Sequence, residues 1–525
     1  MKNLRTTCVL SIFLAALFAL PAHAQEPSKD AKPSADAKDA KAAPDAKAAD
    51  DKEQTWITEH TTHIGGQTIA YKATASLTQL KDDKGEPTAL IFSTAYTRTD
   101  LKDETARPIA FIYNGGPGSA SIWLHMGAFG PRRVVNADAA PTPPAPYKIE
   151  DNTDSLLDKA DLVFIDPVGT GFSRAVGKAE NKDFWGVDQD VKMFAQFINI
   201  YVNRNNRWNS PKFLIGESYG TFRSAALGNY LQSHDGMYLN GIVLMSSVLN
   251  LGTIAFSPGD DLPYVLYLPS YAAAAYYHKA LKDPPADLSD FLVEVRKFAA
   301  TEYTDALMKG SNISASEKSD IAKKLSRYTG LSEDYLIKAD LRVNLQQFNV
   351  ELERAQGLTT GRYDARYTQP TYDILSEYAE DDPSYTSVRG AFTAAFNSYE
   401  REELKVVQER PYIALSGEVG GSWDWKHRSP NGSGFFPGSP NVAGDLTQAI
   451  LTNPHLHVQV ENGFYDMATP FFATEYTMDH LFLPAHLRDN IALKYYGAGH
   501  MMYLHHDDLN DLKANIAAFI DANAK

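Results

Sequence analysis

Residues 212–231 read KFLIGESYGTFRSAALGNYL. The opening KFLI is a short apolar run without polar alternation, the pattern of a strand buried on both faces of a parallel sheet. GESYG, residues 216–220, follows at once, and TFRSAALGNYL then reads as a helix. A Gly-x-Ser-x-Gly string on its own turns up in ordinary loops. Between a buried strand and a helix it is the context of a nucleophile elbow, where a tight turn lifts the Ser218 hydroxyl above the sheet. Gly216 and Gly220 remove side chains that would collide in such a turn.

Further strand–glycine units lie on either side. IAFIYNGGPG (109–118) and DLVFIDPVGTG (161–171) precede the elbow, and LHVQVENGFYD (456–466) and IALKYYGAGH (491–500) follow it. Val187, Val191, Phe194, Ile198 and Tyr201 fall at spacings of four, three, four and three. That is one face of a helix, as the crossover between parallel strands requires. Upstream, QTIAYKATASL (67–77) and PTALIFSTAYT (87–97) alternate and are separated by Asp82-Asp83-Lys84-Gly85, which predicts antiparallel strands. Residues 251–410 are dominated by helical patterns such as Phe291, Leu292, Val295, Phe298 and Ala299. The expected architecture is α/β: a core over 55–250 and 411–525 with a mostly parallel sheet, and a helical cap inserted over 251–410.

A serine nucleophile needs a base, and the base needs an orienting acid. In elbow-bearing folds these follow the serine in the order acid, then histidine. His500 ends a strand-like run on a glycine-rich loop, and Asp466 ends another 34 residues earlier. His480 and His486 sit in a helix-like stretch and read as packed residues. Asn114-Gly115-Gly116-Pro117-Gly118 ends an earlier strand, and its glycines would let backbone N–H groups face a reacting carbonyl, as an oxyanion hole needs.

Five motifs in one order, NGGPGSAS (114–121), DLVFIDPVGTGFS (161–173), GESYG, ENGFYDMATP (461–470) and GAGHM (497–501), resemble the serine carboxypeptidase family over Pro108 to Leu509. The resemblance implies an α/β-hydrolase fold and a hydrolase that releases C-terminal amino acids from peptides through an acyl-enzyme. It implies Ser218 as nucleophile, His500 as general base and Asp466 as its orienting acid. Backbone N–H groups of Gly116 and Tyr219 would form the oxyanion hole. Asn114 and Glu217, assisted by the Gly115 backbone, would hold the substrate's terminal carboxylate, for which Glu217 must be protonated. No cofactor or metal is implied. Two positions depart from the family pattern. Ser119 stands where a cysteine is common, and Ala128 stands where the family places a second glutamate. Recognition of a terminal carboxylate is then weaker, or is supplied by another residue. An esterase or acyltransferase using the same triad is the alternative. A catalytically inactive binding protein is a third reading, but every triad and oxyanion position is filled.

The chain has 525 residues and a net charge of −15, which argues against a nucleic-acid partner. Lys2, Arg5, the apolar run Cys8–Leu20 and Ala22-His23-Ala24 predict a signal peptide over residues 1–24, cleaved after Ala24, with no membrane span in the mature chain. Residues 25–54, rich in Ala, Lys, Asp and Pro, read as a disordered linker. Cys8 is the only cysteine, so the mature chain has no disulfide or thiol nucleophile, which suits a bacterial periplasmic or secreted protein. Trp423 and Trp425 read as core or half-buried aromatics, and DLPYVLYLPSYAAAAYY (261–277) as either a cleft wall or the cap interior. His455, His457 and the His505-His506-Asp507-Asp508 run do not form a metal-ligand pattern.

Overall fold

The structure, a computed structural model, describes residues 51–101, 106–430 and 438–524. The expected signal peptide, and all but the end of the linker, lie outside these residues.

Strands β1 (Gln54–Ile64), β2 (Gln67–Lys81) and β3 (Pro87–Arg98) form an antiparallel meander. Ile64 pairs with Gln67 across Gly65 and Gly66, both at positive φ, the backbone that a two-residue hairpin needs to match the strand twist. At the second turn, Asp82 Oδ1 accepts from the Lys84 and Glu86 N–H groups, so the side chain closes the loop that the sequence predicts. Along β1 and β2, buried and more exposed residues alternate. The strands that follow are buried throughout: β4 (Ile109–Tyr113), β5 (Asp161–Ile165), β7 (Lys212–Glu217) and β8 (Gly241–Met245). Together with β6 (Arg174–Ala175), β9 (His457–Gly463) and β10 (Ile491–Tyr496) they make one ten-stranded sheet. Its order is β1-β2-β3-β5-β4-β7-β8-β9-β10, with β6 paired to β3. From β5 to β10 every pairing along this path is parallel.

Successive side chains of each buried strand enter opposite layers. On one face Phe111, Leu214, Leu244 and Val460 pack under helices α1 (Val187–Arg204), α2 (Tyr219–His234) and α7 (Ala443–Thr452). On the other, Ile112, Ile215 and Met245 meet α6 (Pro383–Glu402) and α9 (His506–Asn523). A third cluster holds helices α3 (Leu262–Tyr277), α4 (Leu288–Phe298) and α5 (Ala315–Thr329), closed over Tyr465, Met467 and Phe471 of helix α8 (Phe471–Asp479) and the loop before it. Helix α3 is therefore the interior of the inserted helical region, with Tyr271 stacked on Phe348 at 4.0 Å.

The insertion is not one body as far as residue 410. Val388, Phe392, Phe396 and Tyr399 of α6 join the core beneath the sheet, where Phe392 lies 5.2 Å from Trp123 and Phe396 lies 5.4 Å from His125. The helical period identifies an apolar face but not the surface it will meet, so the sequence could not assign α6 to the sheet.

Arg223, on α2 and without exposed surface, ties the sheet to two helices. Its Nε donates to Asp190 Oδ2 of α1 at 2.6 Å, and its Nη1 donates to the Asn114 carbonyl at 2.8 Å, just past β4. Its guanidinium also lies 4.3 Å from the Phe194 ring centre. Removing one partner of a buried pair leaves an uncompensated charge. Asp190→Ala is expected to lower stability by about 3–5 kcal/mol, read from urea unfolding. A shift under about 1 kcal/mol would show that water or another group takes over.

Candidate active site

Every predicted site residue lies at or just past the carboxyl end of a parallel strand, where open α/β sheets place their ligands. Asn114 follows β4, Ser218 follows β7, and Asp466 and His500 follow β9 and β10. Ser218 adopts φ 60° and ψ −128°, a conformation that non-glycine residues keep only when their surroundings impose it. Those surroundings are tight. A Cβ at Gly216 would stand 2.3 Å from the Gly220 carbonyl oxygen, and one at Gly220 would stand 3.0 Å from that of Tyr113. The Ser218 N–H donates to the Met245 carbonyl at 3.0 Å, and its own carbonyl accepts from Thr221 N–H and Oγ1. Ser218 occupies the N-cap position of α2, where a serine usually binds the first-turn N–H groups. The strained turn prevents this, and the side chain makes no capping hydrogen bond. Its hydroxyl is left for chemistry, half-buried between the buried Glu217 and Tyr219.

Asp466 is fully buried, and four donors converge on its carboxylate. Ala468 N–H and Thr469 N–H reach Oδ1 at 2.8 and 2.9 Å, while Thr469 Oγ1 and His500 Nδ1 reach Oδ2, each at 2.7 Å. The imidazole is thereby held through Nδ1 against Asp466, the arrangement in which a triad histidine would use Nε2 as its base. Burial opposes a charge on His500, but Asp466, helped by Glu217, outweighs it and raises the imidazole pKa. The His500 loop is also tied to the elbow. Ser246, next to the carbonyl that holds Ser218, donates through Oγ to the His500 carbonyl at 2.7 Å.

Gly115 packs directly on the elbow, where a Cβ would stand 2.4 Å from the Tyr219 nitrogen and 2.7 Å from the Glu217 carbonyl oxygen. Gly116 has φ 103°, open to glycine alone without strain. Tyr219 begins α2, so its N–H has no intrahelical acceptor. Asn114 Nδ2 donates to Glu217 Oε1 at 2.8 Å, while Asn114 Oδ1 accepts from Leu124 N–H at 3.1 Å, which fixes the amide's orientation. Burial pushes Glu217 up to about 7, against the opposing pull of His500, Tyr503 and Asn114. With Oε1 accepting from Asn114, the proton of the neutral acid belongs on Oε2.

Several supporting residues were not anticipated. The His500 N–H donates to the Tyr363 carbonyl at 2.6 Å, the two rings lie 5.1 Å apart, and Asp364 Oδ2 accepts from Gly499 N–H at 3.1 Å. Both residues come from a short hairpin between Leu358–Thr360 and Thr368–Pro370, in a region read as helical. Gly357 and Gly361 were the available signal of a turn there. Trp423, buried, and Trp425, half-buried, pack edge-on to the Tyr219 ring at 5.2 and 5.7 Å and so brace the elbow. Ser119 accepts from Trp123 Nε1 at 3.0 Å, giving the position usually held by cysteine a hydrogen-bonding role. Among the described residues no cluster of three metal-ligating side chains occurs, and no helix is long and apolar enough to cross a membrane.

Residues 85–394 match the family model for serine carboxypeptidase, well over half of the chain. The matched stretch holds the NGGPG and GESYG motifs and ends before Asp466 and His500. No curated protein sequence matches. Among solved structures, the prohormone-processing carboxypeptidase Kex1(delta)p from Saccharomyces cerevisiae is similar in fold, with a TM-score of 0.53 and 16% identity over 90% of this chain and 92% of that one. Proline iminopeptidase from Mycobacterium smegmatis gives 0.34 and 14%, covering 89% of this chain and 99% of the other. A putative aryl esterase from Burkholderia cenocepacia gives 0.33 and 12%, with the same coverage. With its sheet, elbow and strand-end loops, the chain has the α/β-hydrolase fold, and it belongs to the serine carboxypeptidase family.

Proposed function

We propose that this protein is a serine-type carboxypeptidase acting on peptides with a free C-terminus. Ser218 Oγ attacks the last peptide carbonyl as His500 Nε2 accepts its proton, with Asp466 holding the ring. The N–H groups of Gly116 and Tyr219 receive the developing oxyanion. The C–N bond then breaks, the departing amine takes the proton from His500, and an ester to Ser218 remains. Water, activated by the same imidazole, hydrolyses that ester and frees the shortened peptide. We further propose that residues 1–24 direct export.

The observation that carries the exopeptidase reading is the buried Glu217 beside the nucleophile, held by Asn114, with a pKa raised to about 7. A neutral carboxyl can donate a hydrogen bond to a substrate carboxylate, whereas an ionised one repels it. The second reading, an esterase or acyltransferase with the same triad, is favoured by Ala128, which supplies no second carboxyl.

Mass spectrometry of a blocked peptide with a free C-terminus, beside its amidated twin, separates the two. Stepwise loss from the free acid alone is expected; hydrolysis of simple esters with neither peptide touched would remove the carboxypeptidase assignment.

The pH profile tests Glu217. Its raised pKa means that the donor form prevails below about 7 and is lost above it. His500 must be neutral to act as base, so its own raised pKa limits the acid side. For free-acid peptides kcat/KM should follow a narrow bell set by the pair. Glu217→Gln stays neutral at all pH and should remove the alkaline limb. Persistence of that limb in the variant would take Glu217 out of substrate binding.

A further inference from the structure

Two buried oxygens near the elbow lack well-aligned partners. Glu217 Oε2 and Tyr503 Oη are each shielded from solvent and lie close enough to act on one another, and the phenol also acts on Asn114, but neither oxygen makes a well-aligned hydrogen bond. Their neighbours are otherwise committed: Glu217 Oε1 to Asn114 Nδ2, and Asn114 Oδ1 to Leu124 N–H. Buried polar groups are nearly always paired, and the exceptions concentrate where a ligand or functional role completes them.

Tyr503 lies three residues past His500, in the turn Met502–Leu504, with 1% of its surface exposed. Its ring runs across Gly127, where a Cβ would stand 2.6 and 2.8 Å from Cε2 and Cδ2. Residue 127 must therefore lack a side chain for the phenol to pass, and Ala128 beside it offers no carboxyl. The hydroxyl ends next to Glu217 and Asn114, where burial first and then Glu217 hold it protonated far beyond the usual phenol range. A protonated Glu217 and a phenol are two donors in one pocket, and a carboxylate is an acceptor with two oxygens.

We propose that Tyr503 is a substrate-binding residue whose hydroxyl donates to the peptide's terminal carboxylate alongside Glu217, in place of a carboxyl at position 128. This rests on the carboxypeptidase reading above and names the residue that completes its anion pocket. A hydrogen bond to a charged acceptor is among the stronger ones, so its loss falls on substrate capture.

The test compares steady-state kinetics of Tyr503→Phe and wild type on a blocked free-acid dipeptide and on a p-nitrophenyl ester without a carboxylate. Tyr503→Phe should raise KM for the dipeptide about tenfold with little change in kcat, so that the kcat/KM ratio of acid to ester falls about tenfold. Gly127→Ala, which crowds the ring, should lower the same ratio and decides the matter if the first variant fails to fold. An unchanged ratio in the folded variants, or equal losses on both substrates, would overturn the assignment while the preference of the wild type for free acid over amide stands. If the wild type shows no such preference, the carboxypeptidase reading fails and this inference falls with it.

Discussion

A guanidinium with no access to water anchors the site. Arg223 brings a charged guanidinium out of water, so its burial demands partners in fixed places. Asp190, the Asn114 carbonyl and the faces of Phe194, Tyr113 and Tyr219 supply them. Because these partners belong to α1, to the end of β4 and to the first residue of α2, one charge fixes the distance between the NGGPG loop and the elbow. That distance lets Gly115 lie on the Tyr219 nitrogen and lets Asn114 reach Glu217. Lysine, whose donors all radiate from one nitrogen, would not span Asp190 and the Asn114 carbonyl as the planar fork does.

The strain at Ser218 follows from this frame. A positive φ on a serine costs on the order of 1–3 kcal/mol and persists where surrounding contacts overdetermine it. Gly216, Gly220, the Met245 carbonyl and Thr221 do so here, and the same turn denies Ser218 its usual capping bond. Electrostatics completes the arrangement. Glu217 and His500 influence each other: the carboxyl helps raise the imidazole pKa, and the imidazole restrains the rise of the carboxyl. The carboxyl and the imidazole therefore titrate as an interacting pair within one buried region.

What could be read from the sequence was what local chemistry writes into it. Short apolar strands closed by glycines, and an acid and a histidine on later strand ends, gave the sheet and the residues gathered above it. The first two strands of the meander, β1 and β2, have one face less buried than the other, and their part of the sequence alternates accordingly. What could not be read depends on contacts between distant segments. The apolar face of α6 said nothing of its berth under the sheet. Tyr363 reaches His500, and Asp364 the neighbouring Gly499, from inside a region of helical pattern. Tyr503 looks like one more core aromatic until its hydroxyl is found buried beside Glu217 without a well-aligned hydrogen bond. Ala128 was legible as a departure, but not the phenol that crosses its neighbour Gly127.

The central claim is that the elbow presents Ser218 as an activated nucleophile. Treatment with a fluorophosphonate, followed by peptide mapping by mass spectrometry, tests it directly. The account predicts a single adduct, on the peptide bearing Ser218, with labelling lost in His500→Ala. An adduct on another residue, or none from folded protein, would contradict it.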